Sequence, residues 1–171
     1  MTTSISEIRK DFPLLMSNDV IYLDTAATSQ KPSCVLEAER TFYEKYNANP
    51  LRGLYELGEA ATEKYEEARE TVREFLNARE AAEIVFVRNA TEGLNLVAYS
   101  LSSLVLKPGD EILVSIMEHH SNLLPWQKVS RRTGAQLKFL ESGQEGELTE
   151  EQIRKAFTPR TRLAAVTQLS N

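Results

Sequence analysis

Glu83 to Asn95 reads EIVFVRNATEGLN, and this stretch decides the fold. Ile84-Val85-Phe86-Val87 is a β-branched and aromatic run that predicts a buried strand over 84–87. The run breaks at Arg88-Asn89-Ala90. It resumes with helical spacing at Leu94, Val97, Ala98 and Leu101, which predicts a helix over about 91–103. Asn89 followed three residues later by Glu92 marks the helix start. A strand, a short polar turn and a helix N-terminus together make a geometry that can hold a phosphate. Free backbone N–H groups and the positive end of the helix dipole point the same way there. Thr91 adds a hydroxyl in the first turn. Most such turns bind nothing, so the signal gains weight only from its neighbours.

Downstream the pattern alternates strictly. Lys107-Pro108-Gly109-Asp110 is a turn, 111–116 a strand and 122–132 a helix stopped by Gly134. A strand over 136–140, a loop from Gly143 to Gly146, a helix opened by Thr149 to Gln152 and closed by Pro159, and a strand over 162–167 complete it. Strands alternating with helices predict α/β architecture with βαβ units of a mostly parallel sheet and right-handed crossovers.

Upstream the chain is mainly helical. Ser4 and Glu7 match a capping box, with Ile5, Ile8 and Phe12 on one face of a short helix that Pro13 would end. Val20 to Leu23 predicts a short strand leading into the small, polar Asp24-Thr25-Ala26-Ala27-Thr28-Ser29. Pro32-Ser33 opens a helix to about Tyr46, and 47–53 is a loop. A long helix runs from about Leu57 to Leu76, with Tyr65, Ala68, Val72, Phe75 and Leu76 as its apolar stripe. Residues 1–76 are thus expected to form an N-terminal segment of helices plus a short strand. Residues 77–171 are expected to form the first part of a larger α/β domain.

The 171 residues suffice for one well-cored domain. The net charge of −5, with acids and bases interspersed, argues against nucleic acid or an anionic membrane as partner. No apolar run approaches spanning length, and MTTSISEIRKDF lacks the pattern of a signal peptide. One cysteine, Cys34, excludes an internal disulfide framework and fits a reducing cytosol. The only two histidines are adjacent, which argues against a metal site.

Met117-Glu118-His119-His120-Ser121-Asn122 follows strand 111–116, at the same sheet edge as the Asn89-Ala90-Thr91 turn. An imidazole there can stack on a flat ligand, move protons or bind metal, or simply hydrogen-bond loop carbonyls. Ser170-Asn171 follows the last strand. Residues beyond a strand's carboxyl end belong to the ligand crevice of an open parallel sheet, and an Asn amide both donates and accepts. That is an odd place for a natural C-terminus. Cys34 at a helix start reads as a packing residue, Trp126 as core or interface, and the acidic pairs of helix 57–76 as a solvated face.

Four ordered stretches resemble one family. Tyr22 to Pro32 (YLDTAATSQKP) resembles YLDxAAxxQKP. Phe86 to Ala98 (FVRNATEGLNLVA) resembles FVRGTTEGINLVA. Met117 to Asn122 with Pro125-Trp126-Gln127 resembles MEHHxNxxPWQ. Thr161-Arg162-Leu163 with Ser170-Asn171 resembles TRLxxxxxxSN. These motifs are those of the SUF-type cysteine desulfurases, in the class V aminotransferase superfamily with the fold type I architecture.

The resemblance implies pyridoxal 5'-phosphate as cofactor, an electron sink that activates L-cysteine. Sulfur then leaves as an enzyme persulfide, alanine is released, and the sulfur passes to a SUF-type acceptor protein for iron–sulfur cluster assembly. It implies a cytoplasmic homodimer for a complete chain. By position, Ala90 and Thr91 would cradle the phosphate. His119 would stack on the pyridine ring and assist proton transfer, Asn171 would hydrogen-bond the phenolic oxygen, and Ala26 and Ala27 would lie near the substrate.

The departures are specific. The family's Schiff-base lysine, pyridine-pairing aspartate, persulfide-forming cysteine and substrate-binding arginine lie beyond residue 171. Lys107, Lys128, Lys138 and Lys155 match no anchor motif, and Cys34 matches no nucleophile position. Gly-Thr of the family's phosphate turn is Asn89-Ala90 here. Its VHRGxH loop reads Pro50-Leu51-Arg52-Gly53-Leu54-Tyr55, without either histidine. The expectation is an N-terminal portion of such an enzyme, inactive alone. The alternatives are another class V enzyme such as a selenocysteine lyase, acting on L-selenocysteine, or a non-catalytic remnant or half of a split enzyme that binds a partner.

Overall fold

The computed structural model describes residues 4–17 and 19–170. The chain divides into two compact units between Ile84 and Val85.

The first unit is helical: α1 (Ile5–Lys10), α2 (Pro13–Ser17), α3 (Ser33–Lys45), α4 (Glu56–Leu76) and a 3₁₀ turn at Ala81–Glu83. The Ser4–Glu7 capping box forms as the sequence predicts, with Glu7 N–H donating to Ser4 Oγ at 3.3 Å and Ser4 N–H to Glu7 Oε2 at 3.2 Å. α1 stops at Lys10, before Pro13, and Pro13 itself opens α2, where its fixed φ is pre-set for a helix and its missing N–H is no loss. Asn77 ends α4 in the left-handed region at φ 54°.

The predicted strand at 20–23 is not formed, and Leu23 is 88 % exposed. The Tyr22 hydroxyl instead meets the carbonyls of Asp24 (3.1 Å) and Thr28 (2.6 Å), closing the following turn on itself. The expected α4 stripe is also only partly covered. Tyr65 and Val72 are half-buried, while Ala68, Phe75 and Leu76 are exposed; the buried α4 residues are Gly58 and Ala61. Gly53 and Gly58 explain this. A Cβ on either would come within 2.8 Å of the other's backbone, so the 51–53 loop lies directly on the first turn of α4. Thr62 pins that contact by accepting the Leu51 N–H at 2.8 Å.

The second unit is α/β: α5 (Ala90–Val105), β1 (Glu111–Ser115), α6 (His120–Thr133), β2 (Gln136–Leu140), α7 (Glu150–Ala156) and β3 (Thr161–Ala165). The strands form a parallel sheet in the order β2-β1-β3, as the alternating pattern predicts. The central strand, β1, is buried at all five positions, which is why its middle, Ile112-Leu113-Val114, is apolar on both faces rather than alternating, with the polar Glu111 and Ser115 at its two ends. Ile112 and Val114 meet Ala98 of α5 and Trp126 and Val129 of α6 in the core.

The predicted strand at 84–87 is not one of the strands of the described sheet. Ile84, the first residue of the run, is extended, at φ −91° and ψ 115°. Extended backbone becomes a strand only by pairing, and pairing is not a local property. The strand ends are also trimmed, from 116 to Ser115 and from 162–167 to Thr161–Ala165.

Candidate functional site

The start of α5 is capped as its sequence demands. Asn89 Oδ1 accepts the Glu92 N–H at 2.9 Å, and Gly93 N–H bonds the Asn89 carbonyl at 3.1 Å. The two N–H groups between them, of Ala90 and Thr91, have no acceptor among the described residues. They are the groups that a helix N-terminus offers an anion. Glu92 does not cancel this offer. Its carboxylate is drawn to the Arg88 N–H (2.6 Å) and guanidinium (3.2 Å), and these bonds hold its pKa below the ordinary carboxylate value.

His119 is the N-cap of α6. Its Nδ1 accepts the Ser121 N–H at 3.1 Å and lies 2.8 Å from Ser121 Oγ. A ring nitrogen that accepts an N–H carries no proton, so the neutral imidazole holds its proton on Nε2. The side chain is exposed, with Nδ1 committed to the cap.

α5 leads into β1 and α6 leads out of it, so the two helices flank the same strand. Thr91 and His119 line the same cleft, of about 380 Å³, together with Asn95, His120, Leu124 and Lys128. Its contents are an open helix N-terminus, a hydroxyl, an imidazole and an ammonium, a donor set suited to an anionic, planar ligand. Ala90 is the first residue of α5. Ala26 and Ala27 belong to the first unit, in a turn where Ala27 N–H meets the Asp24 carbonyl at 3.2 Å. Asn171 lies outside the described residues. Its neighbour Ser170 donates its hydroxyl to the Met117 carbonyl at 3.1 Å, at the end of β1.

A roomier hollow, of about 660 Å³, lies in the first unit around Glu56, Glu59 and Glu63. Carboxylates without a base or nucleophile make it a solvated face. Among the described residues no three His, Cys, Asp or Glu side chains converge on a metal position, and no helix is long and apolar enough to cross a membrane.

Sequence reading missed what stands behind His119. Glu118 is only 9 % exposed, yet it is a carboxylate. Oε1 accepts from Ser115 Oγ and from Thr167 N–H, each at 2.6 Å, and Oε2 accepts from Asn122 Nδ2 at 2.6 Å. Asn122 Oδ1 in turn accepts the indole N–H of buried Trp126 at 3.0 Å. The available signal was the spacing: 118, 122 and 126 lie four apart, one face of a helix.

The sequence model of the aminotransferase class-V family matches residues 21–171. A probable cysteine desulfurase of Synechocystis is 47 % identical over 168 residues, covering 96 % of this chain and 40 % of its own length. The apo structure of a cysteine desulfurase from Thermococcus onnurineus superposes with a TM-score of 0.91 at 42 % identity, over 100 % of this chain and 42 % of that one. The cysteine desulfurase CsdA from Escherichia coli superposes with a TM-score of 0.83 at 38 % identity, over 99 % and 42 %. The chain thus spans about two fifths of the relatives it matches.

Proposed function

The chain belongs to the aminotransferase class-V family, and from that premise we propose that it is the cofactor-cradling N-terminal part of a pyridoxal-phosphate-dependent cysteine desulfurase of the SUF type. The observation that carries the reading is the single cleft shared by Thr91, at the open start of α5, and His119. The donor set fits the cofactor: unmet N–H groups for a phosphate and an exposed imidazole face for a flat ring. When bound, pyridoxal 5'-phosphate supplies the electron sink that labilises bonds at the substrate's α-carbon.

The chain's own residues bind and orient. The Ala90 and Thr91 N–H groups and the Thr91 hydroxyl would hold the phosphate, with the α5 dipole adding to the hydrogen bonds. The ring of His119 would stack on the pyridine. With Nδ1 held by Ser121, its Nε2 is the atom that gives or takes a proton. By the family resemblance, Asn171 would bond the phenolic oxygen, and Ala26 and Ala27 would lie near the substrate. The complete enzyme takes L-cysteine, passes sulfur to an acceptor protein for iron–sulfur assembly, and works as a cytoplasmic homodimer.

Complementation tests this. Residues 1–171 replace the matching segment of the Synechocystis relative, and alanine released from L-cysteine is quantified. The reading expects cysteine-dependent alanine from the chimera and none above free pyridoxal phosphate from the 171-residue chain alone. A folded, cofactor-loaded chimera without activity, or turnover by the chain alone, contradicts it.

A further inference from the structure

We propose that Glu118 is a positioning residue that fixes the ring of His119. The proposal rests on the functional reading above for the use made of that ring, but its geometry stands apart. Glu118 immediately precedes the N-cap of α6, and its carboxylate joins three separate pieces of backbone. Ser115 ends β1, Asn122 lies in the first turn of α6, and Thr167 lies just past β3. Asn122 is anchored in turn by the indole N–H of Trp126, which is 2 % exposed. The result is a buried polar ladder, Ser115–Glu118–Asn122–Trp126, with no buried side-chain polar atom left unpaired among the described residues. His119 is held at φ −62° and ψ 148°, the conformation that carries its Nδ1 to the Ser121 N–H. Removing the ladder frees that dihedral pair, and with it the ring's orientation and tautomer.

The polarity of the ladder is fixed in one direction. All three of Glu118's partners act as donors, so only an acceptor at both oxygens satisfies them. Glu118→Gln keeps the shape but turns a donor against Asn122 or against the Ser115 and Thr167 side. Flipping the Asn122 amide to accept from it would aim the Asn122 NH₂ at the Trp126 N–H. The pair Glu118→Gln with Asn122→Asp repairs the chain. The glutamine amide then donates to the new carboxylate, which still accepts from Trp126, and the carboxyl charge is conserved.

Nitrogen NMR of the imidazoles at one fixed, mildly alkaline pH reads the outcome on the 171-residue chain. The wild type should show His119 with Nδ1 bare and Nε2 protonated. Glu118→Gln should shift His119 toward the mixed tautomers of a free ring and weaken pyridoxal 5'-phosphate binding about tenfold or more, the worth of one charge-assisted hydrogen bond. The double variant should restore both. A purely structural role predicts lower thermal stability with the His119 nitrogens unchanged, and that result overturns the proposal. Failure of the double variant to restore the signals overturns it too. If Glu118→Gln does not fold, the double variant decides alone: wild-type His119 signals support the proposal and shifted ones refute it. A wild-type chain that binds no pyridoxal phosphate refutes the cofactor reading and leaves the nitrogen comparison standing.

Discussion

Gly134→Ala should destabilise the second unit more than its neighbour Gly109→Ala, by an amount the geometry sets. Gly134 ends α6 at φ +74°. Its N–H bonds Ser130 O at 3.0 Å, and its carbonyl accepts the Gly109 N–H at 3.1 Å. With Gln136 N–H on Asp110 O at 2.7 Å, this zips the turn before β1 to the turn before β2 and sets Glu111 opposite Gln136. A side chain in the left-handed region costs roughly 1–2 kcal/mol. An added Cβ at 134 would also sit 3.2 Å from Pro108 Cβ and 3.4 Å from its Cα and Cγ. A pyrrolidine ring cannot swing aside, so overpacking adds about 1–3 kcal/mol. Gly109, at φ +88°, bears only the backbone cost, since nothing lies within 4 Å of its added Cβ. Urea unfolding followed by Trp126 fluorescence measures the difference. With a slope of roughly 1–3 kcal/mol/M, Gly134→Ala should lower the midpoint by about 1–2 M and Gly109→Ala by clearly less. Equal shifts would refute the Pro108 contact. No shift at 134 would refute the left-handed cap itself.

Glu111 is 1 % exposed, and its pKa is held below the ordinary carboxylate value near 4.5, first by the Thr158 hydroxyl at 2.6 Å and then by Arg160 at 2.8 Å. A depressed folded pKa contributes stability that is present above the unfolded value and lost as pH falls through the folded one. Thr158→Val should therefore narrow the loss of stability between pH 5 and acid, seen in melting temperature against pH; an unchanged acid limb would contradict the assignment. Ile112→Ala, at a fully buried position of β1, should cost about 2–5 kcal/mol. A midpoint change under roughly 0.5 M urea would show that β1 is not central.

Local chemistry was the legible part of this sequence. The caps at Ser4–Glu7, Asn89–Glu92 and Thr149–Gln152, the stop at Gly134, and the order α5-β1-α6-β2-α7-β3 follow from residues within a turn of each other. The parallel sheet follows from that order. What failed was non-local. Residues 20–23 and 84–87 have strand composition, but composition does not supply a partner strand. The α4 stripe was read from periodicity, which says nothing of the Gly53–Gly58 approach that decides which face is covered. At the site, the 89–91 turn and the histidine pair were placed at one sheet edge through a strand at 84–87 that the described sheet does not contain, yet Thr91 and His119 do line one cleft. Glu118 escaped notice because an acidic residue beside two histidines looks solvated. Its burial depends on Thr167, 49 residues away.

Pyridoxal 5'-phosphate titrated into the isotopically labelled chain, read by amide chemical shifts, tests the central claim most directly. The account predicts saturable shifts centred on Ala90, Thr91 and His119, abolished by inserting a proline at position 91 in place of the threonine. Shifts confined to scattered surface lysines, or a site in the first unit around Glu56 to Glu63, would contradict it.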